Sequence, residues 1–321
     1  MIPLLEVSDL VKHFPISGGF FGRSRETVRA VDGLSFHVDP GETLSIVGES
    51  GCGKSTIGKV VLHLTDATSG DIRFNGRSYR DAGAAEMKAI RRRLQVVFQD
   101  PFSSMNPRMR VRDIIAEPLQ NFGLTADRAE TTDKVRDLLV RVGLPAEASN
   151  RYPHEFSGGQ RQRICIARAL APGADLIVCD EAVSALDVSV KAQIVNLLAD
   201  LQEQSGVALL FISHDMAIVE HLTDRVAVMY LGKIVELASR RELFEHARHP
   251  YTRALLSAVP VPQPNRRTER VVLRGDVPSP VNPPAGCRFH TRCPFVFDRC
   301  RIEEPNLRKI ASNHVTACHL D

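Results

Sequence analysis

No stretch of this 321-residue chain approaches the ~18–20 consecutive apolar residues that a membrane-spanning helix needs. The N-terminus also lacks the apolar h-region of a signal peptide, so the expectation is a cytoplasmic protein, docked on a membrane only through a partner. A charge imbalance is missing too. The 41 lysines and arginines against 38 aspartates and glutamates leave +3, too little to argue by itself for a nucleic-acid partner. There is no internal repeat, no low-complexity block, and no Cys-x-x-Cys pair of the kind that builds common zinc knuckles. What remains is ordinarily globular: 43% hydrophobic and 25% charged residues, enough for one large α/β domain and a smaller appendage. Seven cysteines in such a chain are expected to be reduced thiols or metal ligands, not disulfides.

Against that background one segment stands out: Gly48-Glu49-Ser50-Gly51-Cys52-Gly53-Lys54-Ser55-Thr56. It follows the apolar run Leu44–Val47 and precedes a helical pattern, Ile57 to Leu64. Strand, glycine-rich loop and helix in that order are what a phosphate-binding P-loop requires. The glycines let backbone N–H groups turn toward phosphate oxygens at a helix N-terminus, where the helix dipole also favours an anion. Lys54 is placed to reach the β- and γ-phosphates, and the Ser55 hydroxyl to ligate Mg²⁺. The segment implies binding of a nucleoside triphosphate.

Leu34, Phe36 and Val38 alternate with Ser35 and His37, the period of a half-buried strand. Four continuous apolar runs end in polar residues: Leu44–Val47 in the P-loop, Val96–Phe98 in Gln99, Leu176–Cys179 in Asp180-Glu181, and Val207–Ile212 in Ser213-His214. Such runs suit strands buried on both faces of a mainly parallel sheet, where ligands gather beyond the carboxyl ends. The predicted fold class is therefore α/β, with strands and turns before the P-loop and a helical subdomain inserted over about 100–172. Val226–Tyr230 and Ile234–Leu237 read as a closing hairpin. An amphipathic stretch from Arg241 to Val259 then leads to a Pro- and Arg-rich connector, Pro260 to Pro284, and a cysteine tail.

Asp180-Glu181 at the end of Leu176–Cys179 is a Walker B pattern, with Asp180 serving Mg²⁺ and Glu181 polarising the attacking water as general base. Ser157-Gly158-Gly159-Gln160, followed by a helical run, is a second anion cradle. One chain already has its P-loop, so a second cradle suggests two protomers closing head to tail around shared ATP.

The order P-loop, Gln99, Ser157-Gly158-Gly159-Gln160, Asp180-Glu181, Ser184-Ala185-Leu186-Asp187, His214 resembles an ATP-binding cassette ATPase over roughly residues 4–240. The resemblance implies a Q-loop role for Gln99, sensing γ-phosphate and Mg²⁺ and linked to a membrane subunit. It implies a D-loop role for Asp187, a γ-phosphate contact for His214, and adenine stacking for Phe14. Ala182 stands where many family members have proline, which is expected to change only the local backbone. Gln99 to Pro107 and His249-Pro250-Tyr251-Thr252-Arg253-Ala254-Leu255-Leu256 are similar to importers of dipeptides, oligopeptides and nickel. That narrower likeness implies a cassette domain over 1–240 and an importer-type extension over 241–321. It also implies a second, paralogous cassette, two membrane permeases and an external binding protein as partners at the cytoplasmic face. A nucleic-acid-linked cassette ATPase of the repair or translation type is the alternative; the usual tandem cassettes or long coiled-coil insertions of that class are absent.

Cys287, Cys293, Cys300 and Cys318 are separated by spacers of five, six and seventeen residues. Similar tails in the peptide-importer subfamily hold a four-iron four-sulfur cluster in some members, and the resemblance carries that expectation to these four thiols. Zinc and four free thiols remain the alternatives.

Overall fold

A computed structural model describes residues 2–16, 26–259 and 273–320. The glycine-rich insertion Gly18–Gly22 and part of the connector Pro260–Pro284 lie outside them. The chain divides into two compact units, each assembled from separated segments.

One unit comprises Leu5–His37, Thr43–Arg80 and Ser213–Asp321. The strand Thr43–Val47 is buried at every position, Thr43 and Ser45 included, as befits a strand covered on both faces. It pairs in parallel with Arg225–Tyr230, Leu44 opposite Arg225 and Val47 opposite Val228. Arg225–Tyr230 then turns back antiparallel into Lys233–Ser239, the hairpin expected from sequence. Beyond it, His314–Thr316 pairs antiparallel with Glu236–Ala238, and Arg308–Ala311 pairs with His314–Thr316. The last residues of the chain thus extend the edge of this sheet.

A second, antiparallel sheet runs in the order Thr27–Val38, Leu5–Pro15, Ser69–Phe74, Arg77–Ser78. Leu34, Phe36 and Val38 are buried and Ser35 is exposed, so the alternation read from sequence is the real one. The helix Lys54–Val61 buries Ile57, Val60 and Val61; each such side chain removed from water contributes about 1.5–3 kcal/mol. Two short helices, Arg240–His246 and Pro250–Ser257, follow the hairpin.

The other unit comprises Met1–Leu4, Val38–Glu42 and Asp81–Ile212. Its strands Leu94–Val97, Leu176–Asp180 and Ala208–Ser213 are parallel, with Leu94 opposite Leu176 and Asp180 opposite Ile212. Helices Val111–Asn121, Arg128–Arg141 and Gly158–Leu170 occupy the stretch read as a helical insertion. Asp127 accepts from the Glu130 N–H and Ser157 from the Gln160 N–H, so two of these helices start on side-chain caps. Val188–Ser205 completes the unit and ends at Gly206 in the left-handed region.

Candidate active site

In the first unit the loop between Val47 and Lys54 carries three positive-φ glycines, at 155° for Gly48, 79° for Gly51 and 108° for Gly53. Two of them are required by packing as well as by conformation. A Cβ at Gly48 would fall on the Met229 carbonyl oxygen, and one at Gly53 on that of Ala30. The loop is therefore wedged against the strand Arg225–Tyr230, and it leads straight into Lys54–Val61, a helix with no side-chain cap. Lys54 is 4% exposed, and its Nζ donates to the carbonyls of Gly48 at 2.8 Å and Glu49 at 2.9 Å. A buried ammonium held by loop carbonyls is poised to exchange one of them for a phosphate oxygen. Cys52 is buried beneath the loop, and burial raises its thiol pKa, so it remains a neutral packing group.

Phe14 is 39% exposed near the end of the strand Leu5–Pro15, with the Lys12 ammonium 4.9 Å from its ring centroid. An exposed aromatic face is what adenine stacking needs. His214 is exposed just after the strand Ala208–Ser213. The next residue, Asp215, caps the helix Met216–Leu222 through the Ala217 N–H at 3.1 Å, and its own N–H donates to the Ser213 hydroxyl at 3.0 Å. These short-range bonds fix the backbone on which His214 is carried.

In the second unit Asp180 ends a buried strand and Glu181 follows it with φ 49°. A left-handed glutamate is uncommon, and such strain collects at functional sites where the surroundings over-determine it. The restraints are visible: the Glu181 N–H donates to the Ile212 carbonyl at 3.0 Å, and its carbonyl accepts from the Ser184 N–H and hydroxyl, both at 3.0 Å. Ala182 is buried at 1% exposure directly after it. Gln99 is exposed beyond the strand Leu94–Val97.

Ser157 and Gln160 form a reciprocal capping box, Ser157 N–H to Gln160 Oε1 at 3.0 Å and Gln160 N–H to Ser157 Oγ at 3.4 Å. Ser157, Gly158 and Gln160 are exposed, whereas Gly159 is buried. A Cβ at Gly159 would lie under 3.0 Å from the Val190 Cγ1 methyl. The two glycines therefore differ: Gly158 leaves an open surface, and Gly159 admits a neighbouring helix. Asp187 is exposed at the N-cap of Val188–Ser205 without a side-chain cap bond.

In the first unit, the extension after Arg240 is buttressed by contacts that sequence reasoning assigned no role. Glu236, fully buried, accepts from the Arg248 N–H at 2.7 Å, the His249 N–H at 3.1 Å and His314 Nε2 at 2.7 Å. Tyr251 and Phe289 meet Tyr230 edge to face, with centroids 4.8 and 5.2 Å from it. Arg288 pairs with Asp32, whose carboxyl pKa is lowered by Arg288 and His13 although its burial acts in the opposite direction. Arg292 pairs with Glu49 in the P-loop. Partners 243 residues apart leave no local signal in a sequence.

Among the described residues, no three His, Cys, Asp or Glu side chains stand together as a metal-holding group. The expected ligation by Cys287, Cys293, Cys300 and Cys318 is thus not preassembled. Their donor chemistry suits iron–sulfur, and they share one neighbourhood. Burial first, and then the proximity of Cys300, Cys318 and Cys293, push the Cys287 thiol up to about 11.

No helix among the described residues is long and apolar enough to cross a membrane. Residues 31–184 match the family described as ABC transporter, and residues 235–300 match the oligopeptide/dipeptide transporter C-terminal region. The chain is 54% identical to the probable peptide ABC transporter ATP-binding protein y4tS of Sinorhizobium fredii, over 99% of this chain and 90% of that relative. It is 51% identical to the oligopeptide transport ATP-binding protein AppF of Bacillus subtilis, over 99% and 97%. Among solved structures, cbiO1 from Clostridium perfringens matches with TM-score 0.65 and 25% identity over 77% of this chain and 92% of that one. The ATP-binding cassette MJ0796, solved as a dimer in a post-hydrolysis state with ADP and Pi, matches with TM-score 0.64 and 25% identity over 74% and 99%. With 54% identity to one such relative over 99% of its own length, the chain belongs to the ABC transporter ATPase family, and it carries the C-terminal region of the oligopeptide/dipeptide branch.

Proposed function

We propose that this chain is the ATP-hydrolysing subunit of an importer of dipeptides or oligopeptides, working at the cytoplasmic face of a membrane through two permease subunits. The near full-length identity to peptide-transport relatives carries that reading. It also favours import over the nucleic-acid-linked alternative, to which the nearly balanced charge lends no support.

In this reading Phe14 stacks on adenine, and the loop Gly48 to Thr56 cradles the phosphates. Lys54 leaves its loop carbonyls for phosphate oxygens. Ser55, Gln99 and Asp180 would hold Mg²⁺, which would supply charge neutralisation on the phosphates. Glu181 orients the attacking water and accepts its proton, and His214 supports the γ-phosphate as charge moves. Ser157, Gly158, Gly159, Gln160 and Asp187 serve the site of a second cassette, which we take to be a paralogue of this chain. A binding protein outside the membrane supplies the substrate. Co-purification of the tagged chain with two multi-span permeases, and peptide-stimulated ATP hydrolysis by that complex in vesicles, is the test. A complex whose hydrolysis responds to DNA or RNA and never to peptides plus binding protein refutes the proposal.

The four tail cysteines are the candidate ligands of a four-iron four-sulfur cluster, and no step of the hydrolysis is routed through them. Anaerobic purification should yield about four irons and four sulfides per chain. Substoichiometric iron that stays the same when all four are changed to serine removes the cluster.

A further inference from the structure

Glu49, the second residue of the phosphate loop, has its polar groups engaged on three sides. Its carbonyl accepts from Lys54 Nζ at 2.9 Å. Its N–H donates to the Tyr251 hydroxyl at 2.8 Å, and its carboxylate receives both Nη groups of Arg292, at 2.6 and 3.2 Å. Two of the three engagements come from the extension after Arg240, which is outside the cassette's own motifs.

Neither contact is a loose surface pairing. The Arg292 side chain is 7% exposed and that of Glu49 is 29% exposed, so this two-point pair is largely out of water. Tyr251 is fully buried, clasped between Tyr230 and Phe289. A rigid aromatic cluster therefore holds the hydroxyl that orients the peptide joining Gly48 to Glu49. That peptide matters because the Gly48 and Glu49 carbonyls both hold the Lys54 ammonium. The carboxylate matters for a second reason. An unneutralised anion on a loop that receives a triphosphate repels it, and a bidentate arginine removes that repulsion while fixing the side chain.

We infer that Arg292 and Tyr251 are positioning residues of the nucleotide site: through Glu49 they set the Gly48–Glu49 end of the phosphate loop, and so the delivery of Lys54 to the phosphates. In this branch of the family the extension is then a working part of nucleotide binding. The inference rests on Gly48–Thr56 being the triphosphate loop.

The experiment uses the full-length chain and measures MgADP affinity by calorimetry, well below the thermal midpoint of each variant. Arg292→Ala is expected to weaken MgADP about tenfold, about 1.4 kcal/mol. Arg292→Lys should recover part of this, because it restores charge without the two-point contact. Glu49→Gln combined with Arg292→Ala should recover only part of that loss, because the uncompensated anion is gone while the tether is still missing. A purely structural role predicts a lowered thermal midpoint with unchanged affinity, and no rescue by Glu49→Gln. Unchanged affinity in folded Arg292→Ala, or a double variant as weak as the single, overturns the inference. Should Arg292→Ala fail to fold, Tyr251→Phe carries the test: about a fivefold loss supports the clamp, and wild-type affinity rejects it. Lys54→Ala is measured alongside. If that variant binds MgADP normally, the assignment of the loop itself has failed, a result distinct from failure of the clamp.

Discussion

Replacing Gly159 by alanine separates what the fold demands of the Ser157–Gln160 loop from what a ligand demands. The added methyl would lie under 3.0 Å from Val190 Cγ1, with Val190 Cβ at 3.7 Å and Cγ2 at 3.9 Å. Valine is stiff about χ1, so relief requires a shift of the helix Val188–Ser205 or of Gly158–Leu170. Overpacking of this kind costs about 1–3 kcal/mol. Alanine is the better helix former by up to about 1 kcal/mol, so the net destabilisation should be about 0–2 kcal/mol. In a Val190→Ala background the clash is absent and only the propensity gain remains, so Gly159→Ala should there be neutral or stabilising. The coupling between the two positions is thus about 1–3 kcal/mol, read from denaturant midpoints of the four variants without nucleotide. An equal penalty with valine or alanine at position 190 would refute the packing account of Gly159. Gly158 is the contrasting control: the nearest atom to its added Cβ is Leu186 Cδ2 at 3.5 Å, so Gly158→Ala should leave stability alone.

Glu181→Gln should slow ATP hydrolysis about 10²–10⁴-fold while nucleotide binding persists, which single-turnover assays on the assembled transporter measure; hydrolysis within a few-fold of wild type would take the general-base role away from Glu181. Gly53→Ala should abolish nucleotide binding and lower the thermal midpoint together, because φ 108° and the Ala30 carbonyl both oppose a side chain there. His249 should make the extension acid-sensitive. Its buried ring, Nδ1 accepting from the Tyr251 N–H at 3.1 Å, is held neutral to about pH 3 by burial. The unfolded chain takes up that proton below about pH 6.5, so stability present above that pH falls by about 2 kcal/mol at pH 5. His249→Asn, which can still cap the helix Pro250–Ser257, should flatten the loss, as thermal melts at pH 7 and 5 would register.

Much of this molecule was legible because its chemistry is local. The run Leu44–Val47, the glycines at 48, 51 and 53, and the helix they open are neighbours in sequence, and the loop adopts the conformation that spacing called for. The strand ends bearing Asp180 and His214 were readable for the same reason, since an unbroken apolar run that stops at a polar residue is itself the signal. Gly159 shows the first limit. Its residue type was noticed, but its partner Val190 sits in another helix, and a glycine needed for packing looks like one needed for an anion. Arg292 and Glu236 show the second. Each works through groups far along the chain, and an arginine among a tail's many charges carries no mark that it is 7% exposed. The tail's cysteines drew attention through their crowding, yet crowding in sequence did not translate into a preassembled ligand set among the described residues.

Glu236 has a further consequence, for how this branch of proteins can diverge. One carboxylate ties down both ends of a long detour, the Arg248–His249 turn where it departs and His314 where it returns. Without Glu236 the Arg248 and His249 N–H groups and the His314 ring would lose their buried acceptor together, so both ends would loosen at once. The moorings should therefore admit almost no substitution across relatives. An alignment rigid at 236, 249 and 314 would be the evolutionary trace of a single buried acid.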